Sequence, residues 1–151
     1  MLISTALLST VALAAVALWA GALVVHDLRS RRLPDRLTLP AVPVAWVLAV
    51  ASGHPWAVLG GLGWFLLCVL PGRLTPRWRV GGGDAKLALS LGVAPAVAGG
   101  AAGVLLAVAG ASLVTLVFAL SPRVRARGLP HGPGMLLATV VATAVTAVTV
   151  T

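Results

Sequence analysis

Acidic residues are scarce in this chain of 151 residues, which has three aspartates and no glutamate. One of them, Asp84, follows three glycines and precedes an apolar segment, 87–97. A carboxylate at the edge of a membrane span is costly, so it marks a candidate functional site. The glycines give the backbone room to pass close to another chain. The structural alternative is a flexible turn followed by a helix that Asp84 caps.

A second carboxylate, Asp27, ends the first apolar run of the chain. Two carboxylates in a partly dehydrated site cannot easily both ionise, so such a pair holds one proton. Aspartic proteases use this arrangement, in which a carboxylate activates water and its protonated partner hydrogen-bonds the scissile carbonyl. The serines and threonines lie in no recognisable nucleophile motif with a base. The pair therefore predicts peptide hydrolysis, provided that the fold brings Asp27 and Asp84 together.

The composition predicts an integral membrane protein that forms one domain over residues 1–151. Hydrophobic residues make up 60% of the chain and charged residues 9%, whereas soluble proteins carry about 25% charged residues. A net charge of +8 would suggest nucleic acid as the partner of a soluble protein. Here the basic residues cluster in short loops between apolar spans, which indicates topology signals and a lipid bilayer as the partner, not nucleic acid.

Six apolar segments predict an all-α fold with six transmembrane helices: 2–25, 39–51, 56–70, 87–98, 101–120 and 135–150. The first segment is interpreted as a retained span and not a signal peptide, because no Lys or Arg precedes it. The second and third are short, which indicates tilting, local bilayer thinning or a re-entrant hairpin. A turn at Gly99-Gly100 separates the fourth segment from the fifth.

The basic residues predict the orientation of these spans. Loops after spans one, three and five hold ten of the eleven basic residues, and Lys86 lies at the same face. The positive-inside rule places these loops in the cytoplasm and both termini outside. Asp27 and Asp84 are then expected at the cytoplasmic face. The Trp78 side chain, in the second basic loop with Arg73, Arg77 and Arg79, suits the membrane interface.

Other residues suggest packing and not chemistry. The single cysteine, Cys68, lies in an apolar run and is expected to be a small buried hydrophobe. The three histidines show no ligand spacing, so neither a metal nor a cofactor is predicted. Small residues recur every four positions, at Gly99, Gly103, Ala107 and Ala111, and such a stripe allows two helices to approach closely. We expect these residues to pack within the bundle, and a homo-oligomer interface is the alternative.

Two longer motifs contain the aspartates. Residues 27–38 have the form Asp-x-Arg-x-x-x-Leu-Pro-Asp-x-x-Thr, and residues 81–86 read Gly-Gly-Gly-Asp-Ala-Lys. A weaker third element, Pro-His-Gly-Pro, occupies residues 130–133 before the last span. On these motifs, essentially the whole chain resembles the type IV prepilin peptidases, a branch of the GxGD membrane aspartic proteases.

The resemblance implies an aspartic-type endopeptidase that needs no cofactor, with Asp27 and Asp84 as its catalytic pair. It implies cleavage of the leader of type IV pilin-like precursors (prepilins), just after a glycine. The reaction would occur at the cytoplasmic face of the inner (plasma) membrane, in the service of type IV pilus assembly or protein secretion. Residues expected to bind substrate or support the site are Gly81, Gly82, Gly83, Lys86, Arg29 and Pro34.

The chain departs from the family pattern at three points. Asp35 replaces the usual Asn and is interpreted as part of the loop structure, and His131 replaces an aromatic residue. A cytoplasmic insertion with paired Cys-x-x-Cys zinc ligands, found in larger members, is absent from this sequence. The chain therefore resembles the short forms of the family, and the N-methylation that larger members perform with S-adenosylmethionine is expected to be missing or to depend on another protein.

Two other functions are compatible with the acidic pair. An intramembrane protease of the presenilin or signal-peptide-peptidase type would place both aspartates deep within its spans, whereas both aspartates here adjoin basic loops. A non-enzymatic assembly factor or a small transporter would keep the pair for ion binding.

Overall fold

The computed structural model describes residues 2–75, 81–126 and 128–150, with backbone only for residues 2–5, 125 and 150. Arg77, Trp78, Arg79 and Arg127 of the predicted basic loops lie outside the described residues. Across the described ranges the fold is all-helical and has no strand. Its helices are α1 (Leu2–Ser30), α2 (Asp35–Thr38), α3 (Ala41–Ala51), α4 (Val58–Leu74), α5 (Gly82–Leu91), α6 (Val93–Ala119), α7 (Pro122–Ala126) and α8 (Gly132–Val150), with a 3₁₀ turn over Pro55–Ala57.

Four helical stretches in the described part are long and apolar enough to cross a bilayer: Ala6–Ser30, Pro55–Leu74, Val93–Ala119 and Gly132–Thr149. The remaining apolar helices, α3 and α5, have 11 and 10 residues. A full crossing takes about 20 residues of helix, so neither helix crosses unaided. The prediction of an all-α membrane protein is confirmed, and the number of its crossings stays a prediction.

The first helix is longer than the apolar run that predicts it. Its apolar residues stop at Val25, but α1 continues to Ser30 and carries Asp27 inside its last two turns. Most of α1 is exposed, as a lipid-facing helix would be, and its C-terminal half is held to the bundle. There Leu23 is fully buried, and the Trp19 indole donates a hydrogen bond of 2.8 Å to the Leu37 carbonyl oxygen.

Two glycines interrupt α6, and they lie where the sequence predicts a turn. Gly99 has φ −140° and ψ 17°, and Gly100 has φ 59° and ψ −143°, a conformation that glycine adopts without strain. Gly103 lies directly against the Pro95 carbonyl oxygen. Because this contact joins residues on either side of the two glycines, the chain reverses direction between them. Residues 93–98 therefore continue the course of α5, and residues 101–119 form the returning helix.

The core of the bundle is built from buried side chains of α1, α3, α4, α5, α6 and α8. The predicted small-residue stripe faces this core: Gly99 touches the Thr146 side chain, Gly103 is buried against Pro95, and Ala107 and Ala111 are 0% and 1% exposed. The stripe therefore packs within the chain. The homo-oligomer remains an untested prediction, and it would need a surface other than these four residues.

Candidate functional site

Asp27 is a buried carboxylate at the C-terminal end of α1. Its residue is 5% exposed, and the Gly132 backbone N–H at the start of α8 donates a hydrogen bond of 3.1 Å to its Oδ2 atom. A Cβ on residue 132 would lie 3.1 Å from the same oxygen, so only glycine approaches without displacing the carboxylate. The first turn of α8 therefore supplies a backbone donor to Asp27.

Asp84 lies on a different helix, and its neighbour Gly83 packs against Leu33. It lies in the first turn of α5, before the apolar stretch and outside the four long helices, and it is half-buried. Burial, followed by the charge of Asp27, raises the pKa of Asp84 to about 7. The two carboxylates are therefore near enough for the charge on one to oppose ionisation of the other.

Leu33 packs between the start of α5, which carries Asp84, and the start of α8, where Gly132 donates to Asp27. It is 8% exposed, and a Cβ on Gly83 would lie 2.8 Å from the Leu33 Cβ and 3.1 Å from its carbonyl oxygen. On its other side, the Leu33 Cδ1 atom lies 3.5 Å from the Cβ position of Gly132. Leu33 thus sets the spacing between α5 and α8, and residue 83 must be small.

The other two predicted glycines have different surroundings. Gly81 precedes α5 in an extended conformation, and its missing Cβ would lie 2.9 Å from the Asp84 Oδ2 atom. Gly82 is exposed, and the space around its Cβ position is open. Steric contact thus accounts for a glycine at 81 and at 83. Nothing in the described structure requires one at 82.

Lys86 and Asp35 form an ion pair beside the aspartate pair. The Lys86 Nζ atom lies 2.7 Å from Oδ1 and 2.8 Å from Oδ2 of Asp35. Both side chains remain substantially exposed, at 38% and 57%. The contact joins the start of α2 to the first turn of α5, so the third acid of the chain links these two helices.

Pro34 and Arg29 are the remaining predicted residues of the first motif. Pro34 has an extended backbone, and its carbonyl oxygen accepts bonds from the N–H groups of Leu37 and Thr38. It therefore starts α2. Arg29 is exposed. Its position on α1 brings it near the site in sequence, but no described contact links it to either aspartate.

His131 anchors the segment that presents the Gly132 donor. The ring Nδ1 atom hydrogen-bonds the Thr115 hydroxyl on α6. That hydroxyl lies 2.9 Å from the Ala111 carbonyl oxygen, to which it donates, so it accepts from Nδ1–H. Burial lowers the pKa of His131, which favours the neutral ring. The His131–Thr115 contact therefore fixes the entry to α8 without adding a charge.

The comparisons with known proteins identify the family. A model of the type IV leader peptidase family matches residues 14–120, which is more than half of the chain and includes both aspartates and their motifs. The chain belongs to the type IV leader peptidase family. It matches no curated protein and no solved structure. Family membership, together with the apolar helices, makes it a membrane peptidase.

Two site residues of this leader peptidase family member, Leu33 and Gly132, are not among the predicted ones. Gly132 lies beyond the matched range, in the weak Pro-His-Gly-Pro element, and that element was the available signal. Leu33 is part of the first motif, at the position before Pro34, and that position was the signal for it. Cys68 is buried, as expected, at 7% exposure. Within the described ranges, no group of three or more His, Cys, Asp or Glu residues could hold a metal ion.

Proposed function

We propose that this protein is a membrane-embedded aspartic endopeptidase that removes the leader peptide from type IV pilin-like precursors. Asp27 and Asp84 are its catalytic pair. The observation that supports this best is the packing of Leu33 between Gly83, next to Asp84, and Gly132, whose N–H donates to Asp27. The family match supplies the peptidase class, and the pair supplies the mechanism.

The reaction uses the one proton that the pair retains. The ionised carboxylate takes a proton from a water molecule while the water oxygen attacks the scissile carbonyl carbon. The protonated partner donates its proton to the carbonyl oxygen, which gives a tetrahedral diol. The C–N bond then breaks as the leaving nitrogen receives a proton from the first aspartate and the second recovers its own from the diol. Water is consumed, and no metal or cofactor is required.

We place the site at the cytoplasmic face of the inner membrane, in a bundle of six spans with both termini outside. The chain reversal at Gly99-Gly100 supports this count, because it divides α6 into the end of a fourth crossing, from Leu87 to Ala98, and a complete fifth. The basic loops support the orientation. The precursor's apolar stem would lie in the bilayer against the exposed apolar faces of the bundle.

The positions of the aspartates favour a leader peptidase over an enzyme that cuts in the middle of the bilayer. Asp27 lies within four residues of the end of α1, and Asp84 lies in the first turn of α5. A peptide bond that enters this site lies at a membrane boundary. That position suits a soluble leader joined to an apolar stem.

The test is cleavage of a purified prepilin-like precursor by this protein in lipid nanodiscs. We expect a single cut after a glycine that precedes the apolar stem, and mass spectrometry should find an unmodified N-terminal amine on the product. A matched precursor with that glycine replaced by a bulky residue serves as the control. An intact precursor after long incubation with well-folded protein would exclude the proposal.

A further inference from the structure

We propose that Thr115 and His131 act as one positioning unit, which holds the Gly132 N–H against Asp27 and so sets the orientation of that carboxylate for peptide cleavage. Neither Thr115 nor His131 is assigned a contact with the substrate. Their role in cleavage rests on the proposed function. Their effect on the contact between Gly132 and Asp27 does not, and it can be measured without any cleavage.

The hydroxyl of Thr115 is the first observation, because it bonds beyond its own neighbourhood. The other serine and threonine hydroxyls with described hydrogen bonds contact groups at most four positions away. Thr115 donates to the Ala111 carbonyl oxygen at 2.9 Å, and it also contacts the His131 ring across 16 positions. The hydroxyl thus serves as donor and acceptor at once, and it joins α6 to the segment before α8.

The backbone beside the His131 ring is the second observation. The His131 carbonyl oxygen accepts a hydrogen bond of 3.0 Å from the Met135 N–H in the first turn of α8. The N–H of the next residue, Gly132, donates to the Asp27 Oδ2 atom at 3.1 Å. This carbonyl and this N–H belong to one planar peptide unit. The orientation of that plane therefore sets the direction of the donor to Asp27, and the ring of His131 holds one side of it to α6.

The packing of α8 against α6 leaves this orientation to the hydrogen bond. A Cβ on Gly134 would lie 3.1 Å from the Ala111 carbonyl oxygen and 3.3 Å from the Val114 Cβ, so the two helices touch closely here. Apolar packing is non-directional, whereas a hydrogen bond restricts an angle as well as a distance. Among the described residues, the hydrogen bond that joins α6 to residues 130–134 is the one between Thr115 and His131.

The orientation of Asp27 matters for the proposed reaction. A catalytic carboxyl oxygen must lie within hydrogen-bond reach of the proton that it exchanges, and the terminal torsion of an aspartate is soft. The Gly132 donor restrains that torsion by engaging one of the two oxygens. Loss of the restraint should slow the chemical step, kcat. It should leave KM nearly unchanged, because the substrate contacts neither member of the positioning unit.

The sequence makes a direct test practical. One of the three histidines precedes a glycine, and it is His131. Protein labelled with ¹³C at histidine carbonyl carbons and ¹⁵N at glycine nitrogens therefore gives one amide signal in an NMR experiment that selects the ¹³C–¹⁵N peptide bond, and that signal belongs to Gly132. Its exchange with solvent deuterium is measured in nanodiscs. For variants at 131 the carbonyl label moves to the new residue, phenylalanine or asparagine, and neither type precedes a glycine elsewhere in the chain.

Two pairs of variants separate the hydrogen bond from the shape of the side chains. Thr115→Val removes the hydroxyl and keeps the branching, whereas Thr115→Ser keeps the hydroxyl. His131→Phe removes the ring donor, whereas His131→Asn places an amide nitrogen near the position of Nδ1. Thr143→Val is the matched control, because the Thr143 hydroxyl is part-buried and donates to the Thr139 carbonyl oxygen of its own helix.

We expect the Gly132 amide to exchange roughly 2- to 10-fold faster in Thr115→Val and in His131→Phe, the range for loss of one ordinary hydrogen bond. Thr115→Ser and His131→Asn should recover most of the protection, and Thr143→Val should match the wild type. The double variant Thr115→Val/His131→Phe should exchange no faster than the more affected single variant, because both changes break the same bond.

Three results would overturn the inference: an unchanged exchange rate in Thr115→Val, an equal increase in Thr143→Val, or additive effects in the double variant. If Thr115→Val does not fold, His131→Phe and His131→Asn provide the same comparison. In cleavage assays, Thr115→Val should lower kcat with little change in KM, and a raised KM at constant kcat would show that the unit binds substrate instead. A wild-type protein that cleaves nothing would refute the proposed function and leave the exchange result intact.

Discussion

Lys86 binds Asp35 through both carboxylate oxygens, across 51 positions of the sequence. The contact joins the two motifs that carry the aspartate pair. Because Asp35 engages the Lys86 ammonium, we expect the lysine to act on the site through the placement of α2 against α5. A lysine in the second motif and an acid in the first are therefore parts of one structural link.

The first prediction concerns this link. Lys86→Ala should reduce precursor cleavage several-fold without abolishing it, because the link is exposed and such pairs contribute about 0.2–1 kcal/mol. Asp35→Asn should be nearly silent, since an amide oxygen still accepts a bond from the Lys86 ammonium. Both are measured as kcat/KM in nanodiscs. Loss of all cleavage in Lys86→Ala would show that the lysine takes part in the chemistry.

The second prediction concerns the pair itself. Asp27→Asn and Asp84→Asn should each lower the cleavage rate by at least about 100-fold, the lower range for loss of a general acid or base. Each amide keeps the side-chain shape but cannot exchange the shared proton. Asp35→Asn is the matched control, with the same change in charge. Cleavage at a near wild-type rate by Asp27→Asn would mean that Asp84 works with another partner.

The third prediction compares adjacent glycines. Gly83→Ala should destabilise the protein by roughly 1–3 kcal/mol, the usual range for overpacking, because its methyl group would press on Leu33. Gly82→Ala should be neutral, since the space beside it is open. Thermal unfolding in detergent and precursor cleavage would both be recorded. Equal effects of the two substitutions would show that Leu33 does not set this spacing.

The fourth prediction concerns pH. Because the pKa of Asp84 is raised to about 7, the pair should lose its last proton near neutrality, and cleavage should fall as the pH rises above 7. The same shift has a consequence for stability. A carboxyl whose pKa is higher in the folded state contributes stability at low pH, and this is lost as the pH rises from about 4 through 7. Asp84→Asn should remove that pH dependence of unfolding.

The fifth prediction concerns topology. A reporter that is active only outside the cytoplasm should work when fused at His54 or after the C-terminus, and it should be silent at Thr75 or Ala126. The one-sided distribution of basic residues is the physical reason. Cells that express each fusion at matched levels give the measurement. Reporter activity at Ala126 would exclude six spans with both termini outside.

The sequence by itself determined the class of this protein and the residues worth examining. Composition is a property of the whole chain, so 60% hydrophobic residues required a membrane environment whatever the fold. Glycine is the residue suited to positive φ without strain, so Gly99-Gly100 marked a reversal that the structure contains. The two aspartates stood out because acids are so rare here.

Tertiary structure alone decided how the site is built. The Gly132 donor to Asp27 spans 105 positions and the Lys86–Asp35 pair spans 51, and no local pattern encodes contacts of that separation. The end of α1 also needed the structure: apolar periodicity stops at Val25, whereas backbone hydrogen bonds continue until Arg31 turns left-handed. The raised pKa of Asp84 also depends on packing, because its causes are burial in the bundle and the charge of Asp27, which lies on a different helix.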